Sequence, residues 1–372
     1  MKLFFFVTED WYFCSHRLAL GVAAKEAGFD VTVVTQVADH GDQIREAGLR
    51  VIDFPISRGS LNPFAELDVV RRLAKIYRRE RPDIVHHVAL KPVLYGSMAA
   101  WLVGRKKVVN AIAGMGWAFS SSSGVAKALK PVIRGLLRWL LNHGEVIVQN
   151  HDDADLVRRL GVEHVNLIQG SGVDVDRFHP VERSHAPPVV MLVARMIWDK
   201  GVQEFVEAGR ILRARGVDAR FVLVGDPDTG NRAQVPQGVL RQWSKDGDVE
   251  WWGRRDDMPA VLEQAHIACL PSYREGMPKT LLEAAAAGLP IVTSDAPGCR
   301  EVVIDGDNGL LVPVKDATRL ADALQALIED EPLRSRMGLR SRALAMERFT
   351  DEAIINATLS VYGKLGFNVE RA

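Results

Sequence analysis

The sequence predicts an α/β protein built from two doubly wound domains, each a parallel sheet wrapped by helices. Three observations carry this. The chain has 372 residues, which suits two domains at about 150 residues each. Short runs rich in β-branched and aromatic residues alternate with longer stretches of helical period, the pattern of consecutive βαβ units. That alternation stops at His179 to Pro188 (HPVERSHAPP), a polar stretch with three prolines, and then begins again. Such a stretch reads as a linker.

The strand candidates of the first half are Leu3–Val7, Val31–Thr35, Val51–Phe54, Asp83–His87, Lys107–Ala111, Val146–Gln149 and Val165–Ile168. In the second half they are Val189–Val193, Phe221–Gly225, Val249–Trp252, His266–Leu270 and Pro290–Thr293, separated by helical stretches such as Gln203–Arg215 and Pro278–Ala287. The domains predicted are 1–178, a linker at 179–188, and 189–350, followed by a C-terminal segment at 351–372.

Composition narrows the class further. With 47% hydrophobic and 25% charged residues, the chain is not disordered, collagenous or a coiled coil. Three dispersed cysteines, Cys14, Cys269 and Cys299, form no CxxC pair. They predict a reducing cytoplasm rather than a disulfide scaffold or a cysteine-ligated zinc. The apolar run Leu3–Val7 ends at Thr8-Glu9-Asp10, too short for a signal peptide, and no run reaches membrane-spanning length.

Lys plus Arg and Asp plus Glu each total 47, but the charge is uneven. Between Arg58 and Arg138 there are fifteen cations and four anions. An anionic partner for the first domain is expected, against the plainer account of solvated helix faces.

In doubly wound sheets ligands sit beyond the carboxyl ends of the strands, so the loops there hold the candidate chemistry. Arg274 to Gly288 (REGMPKTLLEAAAAG) sets Glu275 and Glu283 eight positions apart across a helix start. Pro278 suits a first helical turn, where N–H groups from Met277 to Thr280 would face a phosphate with the positive end of the helix dipole behind them. The alternative is an ordinary capped helix. After Val189–Val193 comes ARMIWDKG, which places Arg195 and Lys200 on one loop. Arg195 can grip a phosphate through two N–H bonds while Lys200 supplies a point charge.

Together these stretches resemble the retaining, GT-B fold glycosyltransferases of the family-4 kind. The likeness runs through SHRLALGVAAKEAGFDVTVVT (Ser15–Thr35), DIVHHVALKPVLYG (Asp83–Gly96), VNAIAGMGWAF (Val109–Phe119) and QGSGVDVDRF (Gln169–Phe178), besides the two loops above. It implies two Rossmann-like domains facing across a cleft, the C-terminal helix crossing back to the first. It implies that Arg195 and Lys200 bind the donor diphosphate, that Glu275 reaches the transferred sugar and that Glu283 binds the ribose. Catalytic roles fall on Arg195, Lys200 and Glu275. Gly276, Met277, Pro278, Lys279 and Thr280 would add donor contacts, and Arg254 could reach the nucleobase. For the acceptor, the candidates are His16, Arg17, His87, Lys91, Gly114, Met115, Gly116 and Trp117.

Lys91-Pro92 and Gly114-Met115-Gly116-Trp117 most resemble the members that build bacterial surface polysaccharides on a lipid-diphosphate-linked acceptor. The donor implied is a nucleoside-diphosphate sugar, a UDP-linked hexose or N-acetylhexosamine, with no cofactor and no metal. The first loop, Thr8 to Arg17, lacks the two glycines of many relatives, which suits acceptor recognition. No catalytic histidine is assigned. Asp226-Pro227-Asp228 resembles a metal-binding DxD but stands in the wrong domain for it.

A nucleotide-sugar epimerase of the same fold, a soluble acceptor, and a nucleotide-sugar binding module remain as alternatives. No nucleic-acid partner is expected. Val125 to Gly144 (VAKALKPVIRGLLRWLLNHG) gathers Lys127, Lys130, Arg134 and Arg138 on one face. Val125, Leu129, Val132, Ile133, Leu136, Trp139 and Leu140 lie opposite. With Arg71, Arg72, Lys75, Arg78, Arg79 and Arg105 to Lys107, it predicts peripheral attachment to an anionic surface on the inner face of the membrane.

Overall fold

The computed structural model describes residues 1–56, 63–114, 134–183 and 187–367. The chain divides into two units, Met1–Ser171 with Asp351–Ala372, and Gly172–Thr350. Both are α/β.

The sheet of the first unit is formed by β1 (Lys2–Glu9), β2 (Asp30–Gln36), β3 (Arg50–Asp53), β4 (Ile84–Val88), β5 (Val108–Ile112), β6 (Glu145–Val148) and β7 (Val165–Leu167). Its order is β3-β2-β1-β4-β5-β6-β7, with every neighbouring pair parallel. The second unit contributes β8 (Val189–Val193), β9 (Arg220–Val224), β10 (Glu250–Trp251), β11 (Ile267–Leu270), β12 (Ile291–Ser294) and β13 (Gly309–Val312). Their order, β10-β9-β8-β11-β12-β13, is again parallel throughout. Each sheet grows one way from its first strand and then the other. Switch points therefore lie between β1 and β4 and between β8 and β11, where loops diverge and leave a crevice.

The strands are continuous apolar runs because helices cover both faces. In β1, Phe4 and Phe6 face one core with Val69, Leu73 and Tyr77 of the helix Pro63–Glu80. Leu3, Phe5 and Val7 face the other with Phe13, Leu20 and Tyr362. All twelve strands anticipated from sequence are present. The edge strand β13 was not anticipated, since Gly309–Val312 is a four-residue run between Asn308 and Pro313 that reads as loop.

The change of unit at Ser171 comes before the proline-rich stretch, earlier than expected. Residues 172–178, assigned from sequence to the first domain, pack with the second. Val173 N–H donates to Phe349 O at 2.9 Å, and Val173 and Phe178 are buried in that unit's core. The helix Asp351–Lys364 belongs to the first unit, where Tyr362 is fully buried against Phe29 and His86.

Residues 134–141 are helical. Leu137, Leu140 and Leu141 turn toward the core, whereas Leu136 and Trp139 of the expected apolar face are exposed. The i, i+3, i+4 set that meets the sheet is rotated from the one read in the sequence. Trp139 rests on Trp101 instead, ring centroids 5.1 Å apart. Val125 to Ile133 lie outside the described residues.

Candidate active site

The loops after β8 and β11 meet at the second unit's switch point. After β8, Met196 N–H donates to Asp226 O and Trp198 N–H to Ala233 O. A single 3-10 turn, Trp198–Lys200, then leads through Gly201 into the helix Val202–Ala214. Gly201 has φ +72°, and a Cβ there would stand 2.2 Å from Pro271 O, so only glycine lets the loops close this tightly. Tyr273 N–H donates to Asp199 O at 2.9 Å, and Tyr273 Oη donates to Glu204 Oε1 at 2.7 Å. The backbone thus delivers Lys200 to Glu275.

Lys200 Nζ and Glu275 Oε1 form an ion pair, both side chains largely buried. Ser272 Oγ donates to the same carboxylate oxygen at 2.7 Å. From behind, Glu275 N–H donates to Pro297 O, and a Cβ on Gly298 would lie 2.5 Å from Glu275 O. Cys299, also buried here, has its thiol pushed up to about 12 by burial first and by Glu275 second. It is inert as a nucleophile at neutral pH.

The helix starts at Lys279, one residue later than the sequence suggested, with Pro278 as its N-cap. Glu283 is buried one turn in, and Lys279 Nζ lies 3.8 Å from its Oε1. Met277 is buried in the core. Thr280 and Gly276 are partly exposed at this helix end.

Arg195 pairs with a different carboxylate from the one that Lys200 holds. Its Nη1 donates to Asp228 Oδ2 at 2.6 Å, and Asn231 Nδ2 donates to the same oxygen at 3.0 Å. Asp226 Oδ1 accepts Arg254 N–H at 3.1 Å, while the Arg254 side chain reaches Asp256 at 3.1 Å. Both carboxylates of the DxD-like triplet are therefore engaged by cations or N–H groups. Among the described residues, no group of three or more His, Cys, Asp or Glu side chains is placed to hold a metal ion. Ser272 and Asp228 are the polar partners that the sequence reading missed. Ser272 stands three residues before Glu275, a spacing that alone marks nothing.

The acceptor candidates lie in the first unit. His16 stacks on Tyr12 at 4.2 Å, and Arg17 is buried between the helices Asp10–His16 and Leu18–Glu26. Lys91 Nζ is 3.7 Å from Glu66 Oε1, and Tyr95 Oη donates to Glu66 Oε2. Gly114 is described, but Met115, Gly116 and Trp117 lie outside the described residues.

His87 is corrected. Because β4 is covered on both faces, His87 is wholly buried. Its Nδ1 donates to Asn110 Oδ1 at 2.8 Å and its Nε2 accepts from Tyr77 Oη at 3.2 Å. Burial pulls its pKa down to about 4. It is a neutral core residue, not an acceptor contact.

Comparison with known proteins gives the family. Residues 2–150 match the family model for glycosyl transferase 4-like proteins, and residues 187–330 match that for glycosyl transferases group 1. The chain belongs to the GT-B glycosyltransferases of the family-4 kind and is a glycosyltransferase. One relative is the N,N'-diacetylbacillosaminyl-diphospho-undecaprenol α-1,3-N-acetylgalactosaminyltransferase of Campylobacter jejuni. It is 29% identical over 95% of this chain and 96% of its own. The UDP-Gal:α-D-GlcNAc-diphosphoundecaprenol α-1,3-galactosyltransferase of Escherichia coli is 24% identical over 82% of this chain and 81% of its own. The crystal structure of Anabaena HepE in complex with UDP and glucose shares the fold at TM-score 0.79. It is 18% identical, covering 98% of this chain and 99% of that one.

Proposed function

We propose that the protein transfers a sugar, with retention, from a UDP-linked hexose or N-acetylhexosamine to a hydroxyl of a lipid-diphosphate-linked saccharide in bacterial surface-glycan assembly. The observation that carries the reading is the Lys200–Glu275 pair at the mouth of the helix Lys279–Ala286. It sets a cation for phosphate beside a carboxylate for sugar. The acceptor class is supported by the two relatives named above, both of which act on diphospho-undecaprenol saccharides.

Cleavage of the anomeric C–O bond leaves positive charge on the sugar and negative charge on the nucleoside diphosphate. Arg195, Lys200 and the N–H groups at the start of Lys279–Ala286 stabilise the departing phosphate. Glu275 holds the sugar hydroxyls and Glu283 the ribose. The acceptor hydroxyl attacks from the face the phosphate leaves, and its proton passes to a departing phosphate oxygen. No enzymic nucleophile and no metal take part.

A lipid acceptor brings the protein to a membrane surface. Among the described residues no helix is long and apolar enough to cross one. On the helix Pro63–Glu80, the exposed stripe runs through Phe64, Leu67, Arg71, Lys75, Arg78 and Arg79. Apolar side chains at one end and cations along the rest, with the exposed Asp68 between them paired to Arg72 at 2.9 Å, suit an anionic headgroup layer.

The test is transfer itself. Purified enzyme is incubated with UDP-sugars and a synthetic lipid-diphosphate saccharide, and the anomeric configuration of the product is read by NMR. An α-linked product from an α-linked donor supports the reading. Inverted product, or transfer only to water-soluble saccharides, overturns it.

A further inference from the structure

We propose that Tyr273 is a positioning residue for the transfer: its hydroxyl, by holding Glu204, fixes where Lys200 stands against Glu275. This rests on the donor-site reading given above.

Lys200 ends a 3-10 turn of three residues, Trp198–Lys200, closed by Lys200 N–H to Ile197 O and Gly201 N–H to Trp198 O. Turns this short have poor hydrogen-bond geometry and hold little by themselves. The lysine stem is long and flexible, so its ammonium is placed by whatever fixes the backbone beneath it. Tyr273 does this from the other loop. Its N–H donates at 2.9 Å to the carbonyl of Asp199, one residue before Lys200. Its Oη donates at 2.7 Å to Oε1 of Glu204, one turn after Lys200. The lysine backbone is thus gripped on both sides by one residue, and two positions further along that residue's own loop stands Glu275, the carboxylate that pairs with Nζ.

Glu204 depends on this contact. It is 9% exposed, and among the described residues it forms no ion pair. Tyr273 Oη is the donor to its Oε1, and its Oε2 is buried with no partner. The carboxylate stands in the first turn of the helix Val202–Ala214, where the helix dipole favours it. Without the tyrosine hydroxyl it would be buried with no hydrogen bond and would have to turn toward water. The first helical turn would move with it, and Gly201 joins that turn directly to Lys200.

The bond runs one way. Burial, and after it Glu204, drives the Tyr273 hydroxyl above the usual phenol range, so it stays a donor. The ring is clamped separately. Lys315 Nζ lies 4.7 Å from its centroid, reached from a backbone with φ +62°, a conformation that favours glycine. Tyr273→Phe therefore keeps the ring and the N–H bond and loses the hydroxyl alone. Because Lys200 acts on charge that builds on the departing phosphate, its displacement lowers kcat more than it raises KM for the donor.

The test reads transfer from a UDP-sugar to a lipid-diphosphate saccharide in Y273F, E204Q and E204L, each made in the wild type and in K200A. In the wild-type background kcat for Y273F should fall about 10-fold, with KM for the UDP-sugar changed less than about 3-fold. E204L should match it, and E204Q, which keeps an oxygen to accept the bond, should lose less than either. In K200A, where the ammonium to be placed is gone, Y273F should cost less than about 2-fold. A residue that only stabilised the fold would lower both backgrounds alike, and that result overturns the proposal, as does a wild-type kcat in Y273F. If Y273F does not fold, E204L carries the same comparison, and equal losses in its two backgrounds overturn it. K200A at the wild-type rate sinks the donor-site reading and this inference with it. A crippled K200A, with Y273F costing the same in either background, sinks this inference alone.

Discussion

Lys200 Nζ meets Glu275 across 75 residues of sequence, and Ser272 Oγ shares the same carboxylate oxygen. One cation and one carboxylate, assigned to opposite ends of the bond that breaks, thus hold each other in place. Lys200→Ala and Glu275→Ala should each cost about 2.5 to 4 kcal/mol in kcat/KM, by analogy with single oxyanion-hole donors. The double variant should lose much less than the sum, since each single change already disarranges the other residue. Steady-state kinetics on all three variants measures this. Near-normal rates in either single variant would contradict the assignment.

Arg195 is held at 2.6 Å by Asp228, a contact that a phosphate would have to replace. The arginine is about half exposed, so the pair contributes less than about 1 kcal/mol to the fold. Asp228→Asn should therefore tighten nucleoside-diphosphate binding a few-fold without changing Tm, as titration calorimetry would read. Weaker binding would mean that Asp228 orients Arg195 for the ligand instead of competing with it.

Activity should persist in EDTA. On the proposed reading Arg195, Lys200 and a helix end would supply the charge that a metal would otherwise bring, and Asp226 and Asp228 are engaged by Arg254 N–H and Arg195. An absolute need for magnesium or manganese, restored on readdition, would return those two aspartates to the mechanism.

The buried histidine of β4 sets a pH dependence. His87 has its pKa lowered to about 4 by burial, against about 6.5 when unfolded. The unfolded chain therefore takes up the proton first. The neutral ring's contribution is complete above pH 6.5 and is lost as pH falls toward 4, on the order of 3 kcal/mol in all. Urea midpoints at pH 7 and 4.5 should differ more for wild type than for His87→Gln. Equal differences would mean that the ring does not stay neutral.

Flotation with anionic vesicles at low salt should carry the protein, while neutral vesicles and raised salt should not. Replacing Phe64 and Leu67 by serine should weaken flotation while leaving the salt dependence, because the cations of that helix remain. A protein that stays at the bottom of the gradient with anionic vesicles would favour a water-soluble acceptor.

The sheets were legible because parallel strands covered on both faces are written as uninterrupted apolar runs, as in Leu3 to Val7. The meeting of the loops after β8 and β11 was legible because Lys200 and Glu275 each follow a strand candidate, and the two pair in the structure. What could not be read was set by distance in sequence. Nothing near Asp228 announces that it pairs with Arg195, and nothing near His87 announces Tyr77 and Asn110. Side chains alternate along a strand, so a one-sided strand would leave one of His86 and His87 facing outward, but the faces of β4 are both covered and the two are buried. Residues 172–178 look like the end of one domain until Phe349 is seen to hold Val173 in the other.

The first unit is made of two stretches separated by the whole of the second, and Tyr362 closes its core over His86 and Phe29. During synthesis, therefore, Gly172–Thr350 emerges as one unbroken stretch and can fold first. The sheet that began with β1 waits with an apolar groove open until residues beyond 350 leave the ribosome. Chains interrupted near residue 350 should expose that groove to chaperones and proteases while their second unit is already compact.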